Sequence, residues 1–214
     1  MSVERATGLV VRTLPFAETS LIVRWLTPSW GRISTIAKGA RRPKSPFRGK
    51  LDLFYEADFT FNRSRSSALH ILREVVVREI HAGLRKDYRA LCQAAYCARL
   101  IERTAEEETA VPALYDLLRD AVKTLSSGNP NPLVVLAFEL KLLAESGLSP
   151  DWPRTGLRPA AVSMAEELSR LELAQVSSLQ SAPETQRALA GFLNDFFQYH
   201  LGRVPPGRES ALLE

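Results

Sequence analysis

The hydrophobic pattern of this chain changes period once, near His81, and that change restricts the fold to a β module followed by an α module. Before it, apolar residues alternate as in half-buried strands. Gly8–Leu14 is a β-branched run that Pro15, Ala17 and Glu18 interrupt. In Ser20–Thr27, Leu21, Val23 and Trp25 share one face, and Ile22, Arg24 and Leu26 the other. Pro28-Ser29-Trp30-Gly31 is a turn signal, so a hairpin leads into Arg32–Lys38. The clearest alternation places Leu51, Leu53, Tyr55, Ala57, Phe59 and Phe61 on one side, with Phe54 breaking the rule. A polar turn at Asn62–Ser67 precedes a last strand at Leu69–Val77. Five strands joined by hairpins and one long loop predict a small closed barrel. The five-stranded OB-fold, a binder of single strands and oligosaccharides, is the best-known case; an SH3-like barrel gives the same strand count.

After His81 the spacing becomes helical. Helices are expected over Leu84–Glu108, from Pro112 to Leu125, over Leu133–Ser146, Ser163–Ser177 and Glu184–Leu201. Leu133–Ser146 is apolar nearly all round and should be the buried centre, capped by Gly147. The fold class is therefore α+β. A barrel occupies residues 1–80 and an all-α domain residues 81–202, with an irregular segment near 148–162. Residues 203–214 form a polar tail expected to fray.

Charge divides along the same line. Residues 1–80 carry 14 Lys and Arg against 7 Asp and Glu, and the remainder carries 14 against 17. Six of the first module's cations, Lys38, Arg41, Arg42, Lys44, Arg48 and Lys50, fall in thirteen residues that hold no acid. Prolines and glycines make this stretch a loop, displayed between two strands. A polyanion is its natural partner. A solvated loop is the plain alternative. Arg12 and Arg24 would widen the patch if their strand faces point outward. Phe47 is the candidate base-stacking platform, against the alternative that it tucks the loop onto the barrel. Trp30, in a hairpin turn, suits packing better than stacking, and Trp25 belongs to the core.

Catalytic signatures are missing. There is no phosphate-loop or dinucleotide fingerprint, and no paired histidines at metal-ligand spacing. His70, His81 and His200 read as surface or boundary residues. Cys92 and Cys97 lie about 140° apart around a helix, so joint metal ligation is not expected. Glu106-Glu107-Glu108 reads as a solvated helix end. No run approaches the roughly 18 apolar residues of a membrane span, and no signal-peptide core opens the chain. The chain reads as a binder in a reduced, cytoplasmic compartment, not as an enzyme.

Specific motifs then bring a family into view. Ser20-Leu21-Ile22-Val23, the hairpin Leu26-Thr27-Pro28-Ser29-Trp30-Gly31 and above all Ala37-Lys38-Gly39-Ala40-Arg41-Arg42-Pro43-Lys44-Ser45 resemble the RecO family of bacterial recombination mediators. Phe138-Glu139-Leu140-Lys141-Leu142-Leu143 followed by Gly147-Leu148-Ser149-Pro150, and Tyr199-His200-Leu201-Gly202, are similar to its helical part. The resemblance implies an N-terminal OB-fold and a C-terminal helical domain. It also implies binding of single- and double-stranded DNA, annealing without ATP, a nucleoid-associated location and, with RecR, loading of RecA onto DNA coated by single-strand-binding protein. Contact with the acidic tail of that coating protein needs an apolar pocket rimmed by cations, for which Arg99, Arg103 and Lys141 are the candidates. Many relatives complete a zinc site with cysteines just after the glycine–proline segment. Here the corresponding residues run Asp151-Trp152-Pro153-Arg154-Thr155-Gly156, so no zinc is expected. A general RNA- or single-strand-binding OB protein, or a protein–protein adaptor using the basic loop, is the alternative reading.

Overall fold

A computed structural model of the protein describes residues 2–213. Five strands, β1 (Val3–Phe16), β2 (Ser20–Thr27), β3 (Gly31–Ala37), β4 (Glu56–Asn62) and β5 (Leu69–Glu79), close into a barrel in the order β1-β2-β3-β5-β4. All pairs are antiparallel except β3–β5, which is parallel over Ser34–Ile36 and Leu69–Ile71. That order and parallel closure give the OB arrangement, which strand counting alone left open.

The barrel interior is filled by the alternating face that the sequence marks. Trp25 is buried, stacked on Phe59 with ring centroids 4.1 Å apart, and its Nε1–H donates to Thr35 Oγ1 at 2.9 Å. Val10, Val23, Ile33, Phe61, Leu72 and Val75 pack around this pair. The ring's polar edge is therefore satisfied inside the core, as a buried indole requires.

Two strands depart from the expected bounds. β1 continues through Pro15, which pairs with Leu21; a shift of register between Val10 and Arg12 accommodates the turn of the strand. β4 begins only at Glu56, because the alternation over Leu51–Tyr55 lies in turns. Phe54, which broke the pattern, has a φ of 64°. Its N–H donates to Val10 O and its carbonyl accepts from His81 Nδ1, each at 2.8 Å, so it caps one end of the barrel.

The chain divides into two compact units. The first comprises the residues up to His81 together with Ala105–Asp116; the second comprises Ala82–Thr104 and the residues from Leu117 on. The helices are α1 (Tyr88–Thr104), α2 (Pro112–Ser126), α3 (Pro132–Glu145), α4 (Pro159–Arg170), α5 (Leu173–Val176), α6 (Pro183–Leu201) and α7 (Arg208–Leu212). Asp87 starts α1 by accepting from the N–H groups of Arg89 and Ala90. Asn131 caps α3 in the same way, accepting from Leu133 at 2.9 Å, and its own amide donates to Leu179 O at 2.9 Å. α3 is buried nearly throughout, including Glu139.

Three helical expectations are corrected. α1 stops at Thr104, and Glu106–Glu108 is not a helix end but a non-helical strap, bridged to β3 at Arg32 and turning at Glu108 with a φ of 52°. The expected Ser163–Ser177 helix is two, interrupted at Leu171 and Glu172, which are extended. The tail does not fray. α7 docks through Arg208, which grips the buried Glu139 with Nε–Oε1 2.7 Å and Nη2–Oε2 2.8 Å. Tyr96 Oη donates to the same carboxylate, and Gln93 Nε2 donates to Ala211 O at 3.1 Å. An arginine in a polar tail gives no sign that its partner lies 69 positions earlier, in an apolar helix. Residue 214 lies outside the described residues.

Candidate nucleic-acid interface

The loop after β3 is built from consecutive tight turns. Ala40 N–H donates to Ala37 O, Arg42 to Gly39, Ser45 to Arg42, Arg48 to Ser45 and Lys50 to Phe47, all at 3.0–3.3 Å. Arg41 N–H reaches across to Thr19 O at 2.8 Å, fastening the loop to the turn before β2. A chain wound this way keeps its backbone groups paired and turns its long side chains outward. Lys38, Arg41, Arg42, Lys44 and Arg48 are exposed and Lys50 is half-buried. Among the described residues, none of the six pairs with a carboxylate; Arg48 Nη1 makes a 3.3 Å bond to Pro43 O.

Phe47 does not serve as a platform. It is 7% exposed and belongs to the barrel core, so it anchors the loop instead of offering a ring to a base. Trp30 is half-buried, edge-on to Phe61 at 5.7 Å, with the Arg63 guanidinium 5.1 Å from its centroid. Arg12 and Arg24 face each other across β1 and β2, and Arg24 faces Ser34 across β2 and β3. Their neighbours Trp25, Val23, Ile33 and Thr35 are inside, which puts Arg12, Arg24 and Arg32 on the outer face. The candidate surface is therefore cationic, and Phe47 and Trp30 add little aromatic area to it.

The three partner candidates of the helical unit have other duties. Arg99 Nη1 donates to Pro206 O at 3.0 Å and Arg103 Nη2 to Leu201 O at 2.8 Å, so both hold the C-terminal segment. Lys141 Nζ donates to Ser169 O at 2.8 Å, and burial pulls its pKa down while Glu172 opposes the shift. With Lys123, Leu117 and Leu173 it lines a cleft of about 480 Å³. Cys97 is buried and its thiol is pushed up by burial, whereas Cys92 is half-buried beside Tyr88. No group of three potential metal ligands occurs among the described residues, and no helix is long and apolar enough to cross a membrane.

Two histidines are interior, contrary to the expectation. His81 donates from Nδ1 to the Phe54 carbonyl. His70 is fully buried and stacks on Phe61 at 5.1 Å. Its Nδ1 accepts from Ser64 N–H at 3.3 Å, which leaves Nε2 without a hydrogen-bond partner, 3.5 Å from Glu108 Oε1. No sequence signal distinguishes this residue, because only the barrel's closure makes it interior. Burial lowers its pKa, Glu108 counteracts and Arg63 adds to the lowering. The folded chain thus holds fewer protons at this site than the unfolded one. Its contribution is fully present above the unfolded value of about 6.5 and is lost as pH falls below it. Urea midpoints should therefore drop between about pH 6.5 and 5, above the carboxylate range, and His70→Gln should flatten that slope. An unchanged slope in the variant would assign the proton uptake elsewhere.

Comparison with known proteins agrees with the two-part fold. The family description "Recombination protein O N terminal" matches residues 1–81, and "Recombination protein O C terminal" matches residues 85–156. A DNA repair protein RecO from Exiguobacterium sibiricum is 31% identical over 148 residues, 69% of this chain and 59% of that protein. Those from Rhodopirellula baltica and Bacillus subtilis are 34% and 30% identical, over 67% of this chain and 53% and 56% of theirs. The matched region thus spans less than two thirds of the length of these relatives. With the barrel and the helices matching the two descriptions in the family's own order, the chain belongs to the RecO family.

Proposed function

We propose that this protein is a recombination and repair mediator that binds single- and double-stranded DNA through the loop of residues 38–50. The carrying observation is the loop itself: five exposed cations, unpaired with acids among the described residues, fastened by turns to a closed barrel. Lys38, Arg41, Arg42, Lys44, Arg48 and Lys50 contact phosphates, with Arg12 and Arg24 extending the track over β1 and β2. Two DNA strands repel through their phosphates, and a cationic surface that neutralises both lowers the barrier to pairing. Annealing on this surface needs no nucleotide, no zinc and no other cofactor, and the protein acts as a binder and not as an enzyme. The names of the relatives support a place in DNA repair, inside the bacterial cell. Partnership with RecR, contact with the tail of single-strand-binding protein and assistance to RecA follow from the family reading.

Annealing of complementary strands precoated with the cognate single-strand-binding protein, without nucleotide, tests this. Annealing that rises with protein concentration is the expected result. Tight binding to coated strands without annealing would leave only a passive binder. Equal affinity for RNA and DNA of the same length would favour the general single-strand-binding alternative.

A further inference from the structure

The strap Ala105–Asp116 returns to the barrel from the end of α1 and carries Glu106, Glu107 and Glu108. Its path is fixed by backbone. Arg32 N–H donates to Glu106 O at 3.2 Å, Glu108 N–H to Arg32 O at 3.1 Å and Val111 N–H to Pro28 O at 3.1 Å. Gly31, with a φ of 60°, makes room for it: a Cβ there would lie 2.0 Å from Thr109 O. Two of the three carboxylates then meet the barrel's cations. Glu107 lies 3.5 Å from Arg32 Nη2, and Glu108 accepts from Arg63 Nη2 at 2.7 Å. The buried, otherwise unpartnered His70 Nε2 is aimed at the second oxygen of Glu108.

We propose that Glu106–Glu108 is an internal competitor for phosphate, which holds Arg32 and Arg63 until a nucleic acid displaces its carboxylates. This rests on the nucleic-acid reading above and concerns its regulation. Four features support it. Arg32 shares the outer face with Arg24 and Arg12, so its charge continues the same track. Water reaches one partner of each pair, Glu107 at 60% and Arg63 at 45% exposed against 24% for Arg32 and 30% for Glu108, which opens both to exchange, while Arg32 Nε keeps its bond to Ala105 O at 2.7 Å. Backbone bonds hold the strap in place, so its carboxylates can swing away without unfolding it. A phosphate arriving at Arg63 meets a guanidinium already oriented over the Trp30 ring.

The experiment measures binding of a single-stranded oligonucleotide by anisotropy across salt concentrations, for the native chain and for E106Q/E107Q/E108Q. The proposal expects at least tenfold tighter binding at low salt. It also expects a log–log salt slope steeper by about 1.4, two further phosphates on a single strand. A control variant, E145Q/E166Q/E167Q, removes the same charge from exposed sites of the helical unit. Adding R32A/R63A to the strap variant should abolish the gain, while the same pair of changes in the native chain should have little effect. Amide exchange at Arg32 and Glu108 reports whether the strap stays seated. Equal gains from strap and control variants, or no gain from the strap variant, would overturn the proposal while leaving DNA binding intact. No oligonucleotide binding by any variant would instead overturn the nucleic-acid reading, and this proposal with it.

Discussion

Replacing Arg41, Arg42 and Lys44 together with alanine will weaken single-stranded DNA binding more than a hundredfold at low salt. Six neutralised phosphates on a single strand give a log–log salt slope of about −4, and three give about −2. Between 50 and 200 mM salt the native chain should then lose about 300-fold in affinity, and the variant only about 20-fold. These side chains are exposed and make no contact with the barrel core, which Phe47 anchors independently. The thermal midpoint should therefore stay within a degree or two, separating a binding effect from a folding one. Unchanged low-salt affinity would remove the loop from the interface. A slope that stays near −4 in the variant would place the phosphate contacts elsewhere on the molecule.

Arg208→Ala will be among the most destabilising single changes in the helical unit. Glu139 is completely buried, and Arg208 supplies both of its guanidinium bonds, with Tyr96 as the third donor. Removing the arginine leaves a carboxylate in an apolar helix with one phenol for company. Breaking a buried pair from one side costs about 3–5 kcal/mol. That is a large part of the ~5–15 kcal/mol by which a typical domain is stable. Urea denaturation should show a large fall in midpoint for the helical unit. The triple change Y96F/E139L/R208M removes both charges together with the phenol that donates to Glu139, and should recover most of the loss, since a well-packed apolar replacement of an ion pair is often neutral or better. If the single change left the midpoint within ~0.5 kcal/mol of native, α7 would not be held by this pair.

The barrel and its basic loop were readable from the sequence because both rest on local signals. Alternation along Ser20–Thr27 dictates which face is core, and Trp25 follows from it. Lys38–Lys50 has too many prolines, glycines and like charges to be anything but a displayed loop. The family motifs added the order of the domains, which the matches bear out. The failures at single side chains share one cause: each depends on a contact distant in sequence. Phe47 looked available because its place in the core is supplied by Phe59, Phe61 and the strands around them. Glu106–Glu108 looked like a solvated end because nothing local points to Arg32. Arg99 and Arg103 looked like free cations, and the tail that carries Arg208 looked frayed, because the carbonyls and carboxylate they hold arrive from elsewhere in the helical unit. Long charged side chains are read poorly by pattern, since their partners need obey no period.

The parallel stretch between β3 and β5 is short, and the strap pairs with β3 at Arg32, beyond its start. A ribosome that has released only the first 81 residues has therefore made all five strands without the segment that stitches this seam. Until the strap emerges, the Arg32 amide and carbonyl present a bare edge to any passing extended chain. The N-terminal module should accordingly mature only after α1 has been synthesised, and a fragment cut at His81 should be stickier than the intact protein.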